Sequence, residues 1–159
     1  DSVLNDRHEH YIELSGLGTF THAAIGYNYK FAVNDWFKVG AGMNLGGLFY
    51  KRPSTNFLIL PKMYVNAGKK WFWVETGLEY NFSFNFYSIF QKEKYFNPPY
   101  THQSETSINF SPYVGVLFVL GKKKRNELGL NYHPVFENYK QDVNFLQHSV
   151  GIRYRFKLK

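Results

Sequence analysis

From Ala23 onward, apolar and polar residues alternate with a period of two, the pattern of strands whose side chains point to opposite faces in turn. Ala23, Ile25, Tyr27, Tyr29, Phe31 and Val33 share one face; Ala24, Gly26, Asn28, Lys30, Ala32 and Asn34 share the other. The same beat carries Phe72, Val74, Leu78, Tyr80, Phe82, Phe84 and Phe86 against Trp73, Glu75, Gly77, Glu79, Asn81, Ser83 and Asn85. It returns in Ile108 to Leu120, in Leu128 to Phe136 and in Leu146 to Phe156. The alternation predicts eight strands, at 9–17, 22–33, 36–50, 57–67, 71–87, 106–120, 127–137 and 145–156, and no helix. No Gly/Ser/Pro-rich linker divides the 159 residues, so residues 1–159 are expected to form a single all-β domain.

Alternation alone does not say which face is inside. Three features choose. Glycine concentrates on the polar face, at 26, 40, 42, 46, 77, 115, 129 and 151, where a narrow eight-stranded interior needs small residues. The apolar face is bulky on every strand, and 20% of all residues are aromatic; that volume would overpack so small a lumen. Aromatics also recur near strand ends, at Phe31, Phe37, Phe72, Phe118 and Phe156, as interfacial girdles do. Together they predict an eight-stranded antiparallel up-and-down transmembrane β-barrel, polar within and apolar toward lipid. A soluble lipocalin-like carrier would need the opposite arrangement. With both termini periplasmic, the tight turns at 34–35, 68–70 and 121–126 fall on the periplasmic side. The segments 51–56, 87–105 and 138–144 then lie outside.

Other classes are excluded by composition. Lysine and arginine outnumber acids 19 to 12, giving +7, but the charges are scattered singly or bunched in short turns, so no nucleic-acid partner is expected. There is no cysteine, hence no disulfide framework. Residues 1–5 read as a mature start, so the absence of a targeting segment is not evidence for the cytoplasm.

The C-terminal run Ser149-Val150-Gly151-Ile152-Arg153-Tyr154-Arg155-Phe156 resembles the β-signal of bacterial outer-membrane proteins, with Ser149, Gly151, Tyr154 and Phe156 at its defining positions. Lys157-Leu158-Lys159 follow where that family ends on its aromatic. From Tyr11 to Phe156 the chain resembles the small eight-stranded barrels of the OmpX and OmpA type, and its abundance of Asn, Lys, Tyr and Phe resembles outer-membrane proteins of the Bacteroidota. The resemblance implies recognition by the barrel-assembly machinery and contact with the bilayer and lipopolysaccharide.

Chemistry is sparse. Glu127 to His133 resembles the approach to the His-x-Ser-Asn motif of the lipid A deacylase barrel (PagL), but Pro134 and Val135 stand where the motif needs its x and Ser. His102-Gln103-Ser104-Glu105 keeps the His-x-Ser spacing with Glu in place of Asn, in a loop. Neither supplies a nucleophile with an oriented base, so no catalytic residues are expected. His8 and His10 are too few to hold zinc, and neither a metal nor a cofactor is expected. Glu13, Lys30, Lys38, Lys62, Glu75, Glu79, Arg153 and Arg155 share the lumen phase and are expected to plug it with salt bridges, since buried charges persist when paired. That leaves a structural or accessory barrel, with a stand-alone OmpX-like surface or adhesion barrel as the alternative. A larger outer-membrane complex would meet the aromatic loop residues Phe90, Tyr95, Phe96 and Tyr100, and His148, which strict alternation places toward lipid. Pro61, Pro112 and Pro134 also fall in the lipid phase inside strands, where each removes a ladder donor. The pairing there is expected to break, with the rim splayed or covered.

Overall fold

The computed structural model describes residues 7–17, 22–48, 56–85, 107–121, 123, 125–138 and 144–158. Positions 17, 22, 48, 56, 83–85, 107–109, 135–138 and 144–149 are described through their backbone alone. The strands are β1 (His8–Leu17), β2 (His22–Ala32), β3 (Phe37–Leu48), β4 (Asn56–Lys69), β5 (Phe72–Asn85), β6 (Ser107–Leu120), β7 (Asn126–Asn138) and β8 (Asn144–Lys157). Each pairs antiparallel with its neighbours in sequence, and β1 pairs with β8 to close the barrel. Closure removes the edges that such apolar strands would otherwise offer to one another.

Strand ends fall within two residues of expectation, positions 49, 50, 86, 87 and 106 lie outside the described residues, and two of the shifts have a clear cause. β2 stops at Ala32 because the amides of Val33 and Asn34 both turn to donate to the Phe37 carbonyl, at 3.1 and 3.2 Å. β4 runs on through Gly68 and Lys69, which pair with Trp73 and Phe72 and tighten the turn to Lys70-Trp71. Lys70 takes a left-handed φ of 60° to make that reversal, as Gly121 does at 79° after β6.

The two faces of the wall differ in kind. Met63 (70% exposed), Val150, Ile152, Ile25 and Leu14 stand on the outside, while Glu13, Glu75 and Arg155 are wholly buried within. Val39, Val74 and Tyr80 also face out. A monomer in water would not hold this exterior; a hydrocarbon surround stabilises it. At the end that carries both termini, called here the near end, exposed Trp36 and Trp71 ring the wall, and Trp71 stacks on Phe118 at 6.2 Å. His8 and His10, on the outside of β1, hydrogen-bond to the Tyr29 and Tyr27 hydroxyls of β2.

Inward glycines sit beside inward bulk. A Cβ on Gly40 would lie 2.4 Å from the Tyr64 ring, and one on Gly115 would meet Asn131 Oδ1 at 2.1 Å and the Leu130 carbonyl at 2.5 Å. The lumen is filled by such complementary pairs rather than by uniformly medium side chains.

All three strand prolines mark breaks in pairing. Between β4 and β5 the ladder pairs Lys62 with Glu79 and next Ile59 with Phe82, passing over Leu60 and Pro61. Between β6 and β7 it runs from Leu120↔Asn126 to Val114↔Tyr132 and stops, although both strands continue. In that register Pro112 and Pro134 stand opposite each other. Their other sides are regular: Leu78↔Pro112 and Pro134↔His148 belong to unbroken ladders. His148 therefore shares the outward register position of Pro134; its side chain lies outside the described residues.

Candidate functional site

Each inward charge is set by the strand alternation, and the barrel's curvature brings them together across the lumen. Glu75 of β5 lies at the centre. Arg155 grips it in a fork, Nη1 to Oε2 at 2.6 Å and Nη2 to Oε1 at 2.9 Å. Arg153 Nη1 (3.2 Å), the Tyr113 hydroxyl (3.0 Å) and Asn66 Nδ2 (2.9 Å) donate to the same carboxylate. Glu13 of β1 accepts from Arg155 Nε at 2.6 Å, Lys62 Nζ at 2.5 Å and Asn44 Nδ2 at 2.6 Å. Bidentate, charge-assisted bonds of this kind are the strong class, and here both carboxylates are wholly buried.

Around that centre Arg153 reaches Glu79 at 3.0 Å, and Lys30 meets Glu127 at 2.5 Å. Nearer the termini Glu9 takes both Lys38 (2.7 Å) and Lys157 (2.9 Å). Six cations thus face five carboxylates, each cation paired. Aromatic rings cover several of them: Arg153 lies 4.2 Å from the Tyr113 ring centroid, Arg155 4.7 Å from Tyr64, and Lys30 4.7 Å from Tyr11. Glu13, Lys30, Lys38, Lys62, Glu75, Glu79, Arg153 and Arg155 all stand in this network. Sequence reasoning left out Glu9, Glu127 and Lys157, which continue the inward phase at the strand ends, and the tyrosines that cover the cations.

Beyond the charged layers, toward the far end, buried Ala24, Leu58 and Leu60 form an apolar patch on the β2 and β4 side of the lumen. Leu58 and Leu60 lie in Phe57-Leu58-Ile59-Leu60, apolar on both faces, where alternation gives no signal.

Ser111 and His133 approach each other inside, Oγ to Nδ1 at 3.5 Å, the nearest approach to a nucleophile and base among the described residues. The geometry is wrong for catalysis. Arg153 Nη2, which can only donate, lies 3.4 Å from His133 Nε2. With Nε2 accepting, the ring proton sits on Nδ1, toward the serine, and the ring cannot take the serine proton. Among the described residues no three His, Cys, Asp or Glu side chains converge on a metal-sized space. His102, Ser104, Phe90, Tyr95, Phe96 and Tyr100 lie outside the described residues. Gly151 lies buried on the inner face of β8 and Tyr154 and Phe156 on its outer face, while Ser149 is described by its backbone.

No protein-family model matches the chain. No curated protein matches it either. Among solved structures, the N-terminal β-barrel domain of Pseudomonas aeruginosa OprF is similar with a TM-score of 0.52, covering 95% of this chain and 96% of that one at 9% identity. The fold is that of a small bacterial outer-membrane β-barrel. Similarity is also found to the Yersinia pestis outer membrane protein Ail in a phospholipid bilayer nanodisc (TM-score 0.46, 11% identity, 93% of this chain and 99% of that one). A third is the Pseudomonas aeruginosa outer membrane protein OprG (TM-score 0.41, 8% identity, 94% and 96%). In an outer-membrane barrel the paired lumen is the interior and the apolar wall the lipid surface, which matches the burial seen here.

Proposed function

We propose that this chain is a non-enzymatic barrel of the bacterial outer membrane, with its termini periplasmic and its lumen closed by salt bridges, acting as a structural or partner-binding subunit. One observation carries it: the wall is apolar outside, while Glu13, Glu75 and Arg155 are wholly buried and mutually paired within. A network with every cation paired leaves no file of water for solutes, and eight strands enclose little more than their own side chains. The Ser111–His133 geometry supports the absence of acyl-transfer chemistry. The aromatic loop residues Phe90, Tyr95, Phe96 and Tyr100, with His148, form the proposed contact surface for a larger outer-membrane complex, and the Ser149, Gly151, Tyr154 and Phe156 signal would hand the chain to the assembly machinery. A native pull-down in mild detergent tests the subunit reading: co-purification of an outer-membrane partner, lost when Phe90, Tyr95, Phe96 and Tyr100 are replaced by Ser, is the expected result. Recovery of the bare barrel alone would favour the stand-alone OmpX-like alternative.

A further inference from the structure

We propose that the outside of β1 and β2 at the near end is a phospholipid headgroup site, in which His8 and His10 donate to one lipid phosphate while the acyl chain runs on over Leu14 and Ile25. The inference rests on the membrane-barrel reading above and adds a binding site to it.

Histidine on a lipid-facing wall is costly unless both ring nitrogens are satisfied. Here one of each ring is. Nδ1 of His8 lies 2.5 Å from the Tyr29 hydroxyl, and Nδ1 of His10 is bonded to the Tyr27 hydroxyl. Aromatic neighbours brace both rings, His8 edge-on to Phe31 with centroids 5.3 Å apart and His10 at 5.4 Å from Tyr29. Both histidines are exposed, and neither Nε2 has a hydrogen-bond partner among the described residues.

The tyrosines decide what each ring offers. A phenol donates better than it accepts, and a bare imidazole nitrogen is a good acceptor, so the hydroxyl donates to Nδ1 and the ring proton stays on Nε2. A doubly protonated ring would carry its proton there as well. Both histidines thus present an N–H donor away from the tyrosines. Rings at i and i+2 on one strand face stand about 7 Å apart. Two oxygens of one phosphate bridge that gap with a hydrogen bond of about 2.9 Å at each end.

Depth and surroundings select a lipid as the source of the phosphate. His8 pairs with Phe31, at the end of β2 that leads into the Trp36 turn, hence at the level where headgroups lie; His10 is one outward position deeper. Further along, the outward positions of the same two strands are Ile12, Leu14 and Ile25, the last two more than half exposed. They form an apolar track that starts where the donors stop, as an acyl chain starts below its phosphate. Across the barrel, beside the Trp71 turn, the outward pair is Phe72 and Phe118, which offers a phosphate no donor.

The test uses the full barrel, isotope-labelled in the ring nitrogens of histidine and tryptophan, in phosphatidylcholine liposomes. Solid-state NMR then reads how strongly lipid phosphorus dephases each ring-nitrogen signal. Expected is strong dephasing of a protonated Nε2 in both His8 and His10, assigned through His8→Phe and His10→Phe. Trp36 and Trp71 Nε1, which meet exchanging lipid at similar depth, should show roughly a third of that or less. Equal dephasing of all four rings would mean ordinary bilayer contact and overturn the site, as would an unprotonated Nε2 on either histidine. In Tyr27→Phe/Tyr29→Phe, which keeps the rings and removes the hydroxyls, the histidine dephasing should fall to roughly a third; persistence at the wild-type level would overturn the proposal. Should that variant not fold, the comparison with tryptophan decides alone. A parallel sample in dodecyl maltoside with inorganic phosphate separates the sources: dephasing as strong there as in liposomes would mean a free-anion site and overturn the lipid reading. Magnetisation transfer from lipid chains to the Leu14 and Ile25 methyls without histidine dephasing would overturn the headgroup site and leave the membrane barrel standing. Absence of that transfer would instead overturn the membrane reading itself.

Discussion

Glu75 accepts five hydrogen bonds from four residues, more than any other carboxylate of the network, and so ties β5 to β4, β6 and β8. Removing it leaves two buried arginines short of a partner, Arg155 holding only Glu13 and Glu127 and Arg153 holding Glu79 and Glu13. Glu75→Ala is therefore expected to destabilise the barrel by about 3–5 kcal/mol, the cost of breaking one side of a buried ion pair. Urea unfolding in liposomes, read by the loss of the heat-modifiable form on gels, measures it. A loss below 1 kcal/mol, the range of an exposed pair, would mean that water reaches the centre. Gly115→Ala tests packing in the same assay. Its new methyl would collide with the Leu130 carbonyl, which cannot swing aside, so a cost of about 1–3 kcal/mol is expected. Lys70 points the other way: its left-handed φ suits glycine better, and Lys70→Gly should gain about 1 kcal/mol.

Strands were legible wherever one face was apolar and the other was not. Val74 to Glu79 could be placed from sequence because charge and hydrocarbon alternate there. Leu58, Leu60 and Leu117 could not, since each lies in a run that is apolar on both faces, and only the distant Lys62 or Gly115 sets the phase. The partner of each charge was beyond reach for another reason: Lys30 and Glu127 meet across the lumen, and that pairing depends on barrel curvature rather than spacing. Proline was the most informative single residue type, because a missing donor has the same meaning in any register. Each of the three sits where a ladder is broken. At Pro61 the β4–β5 pairing resumes in the same register on either side, so the defect is local. Pro61→Val should restore a bond there and raise stability by about 0.5–1.5 kcal/mol. Amide hydrogen exchange gives the companion check: the backbone around Leu60 and Asn81 should exchange faster in the wild type than the unbroken β2–β3 ladder, and the variant should slow it. Equal protection of the two regions in the wild type would contradict the break.

At the scale of the whole molecule, a network with every cation paired predicts an electrically silent protein. Purified barrel in planar bilayers should show no discrete conductance steps, whereas Glu75→Ala, if it folds, should begin to flicker; steady steps from the wild type would refute the closed lumen. Closure of the barrel itself rests on the β1–β8 seam, which runs only from Tyr11↔Lys157 to Gly16↔Ile152, while β7–β8 is paired from Asn126↔Phe156 to Asn138↔Asn144. Among the described residues, the seam between the first and last strands is thus also the shortest.

The strands are not of one length. β1 has 10 residues and β2 has 11, while β4, β5 and β6 have 14 each. Four residues are about 13 Å of strand, so among the described residues the wall runs longer along β4, β5 and β6 than along β1 and β2. The near end is held level by Trp36, Trp71 and the tyrosine-bonded His8 and His10, which leaves the inequality to be taken up at the far rim. A bilayer of uniform thickness can follow such a wall only if the cylinder leans or the leaflet thins along β1 and β2. Either response gives the barrel a front and a back within the plane of the membrane. Neighbouring molecules would then find a compressed leaflet on one side and a full one on the other, and the protein would gather where the membrane is already thin, without a single specific contact.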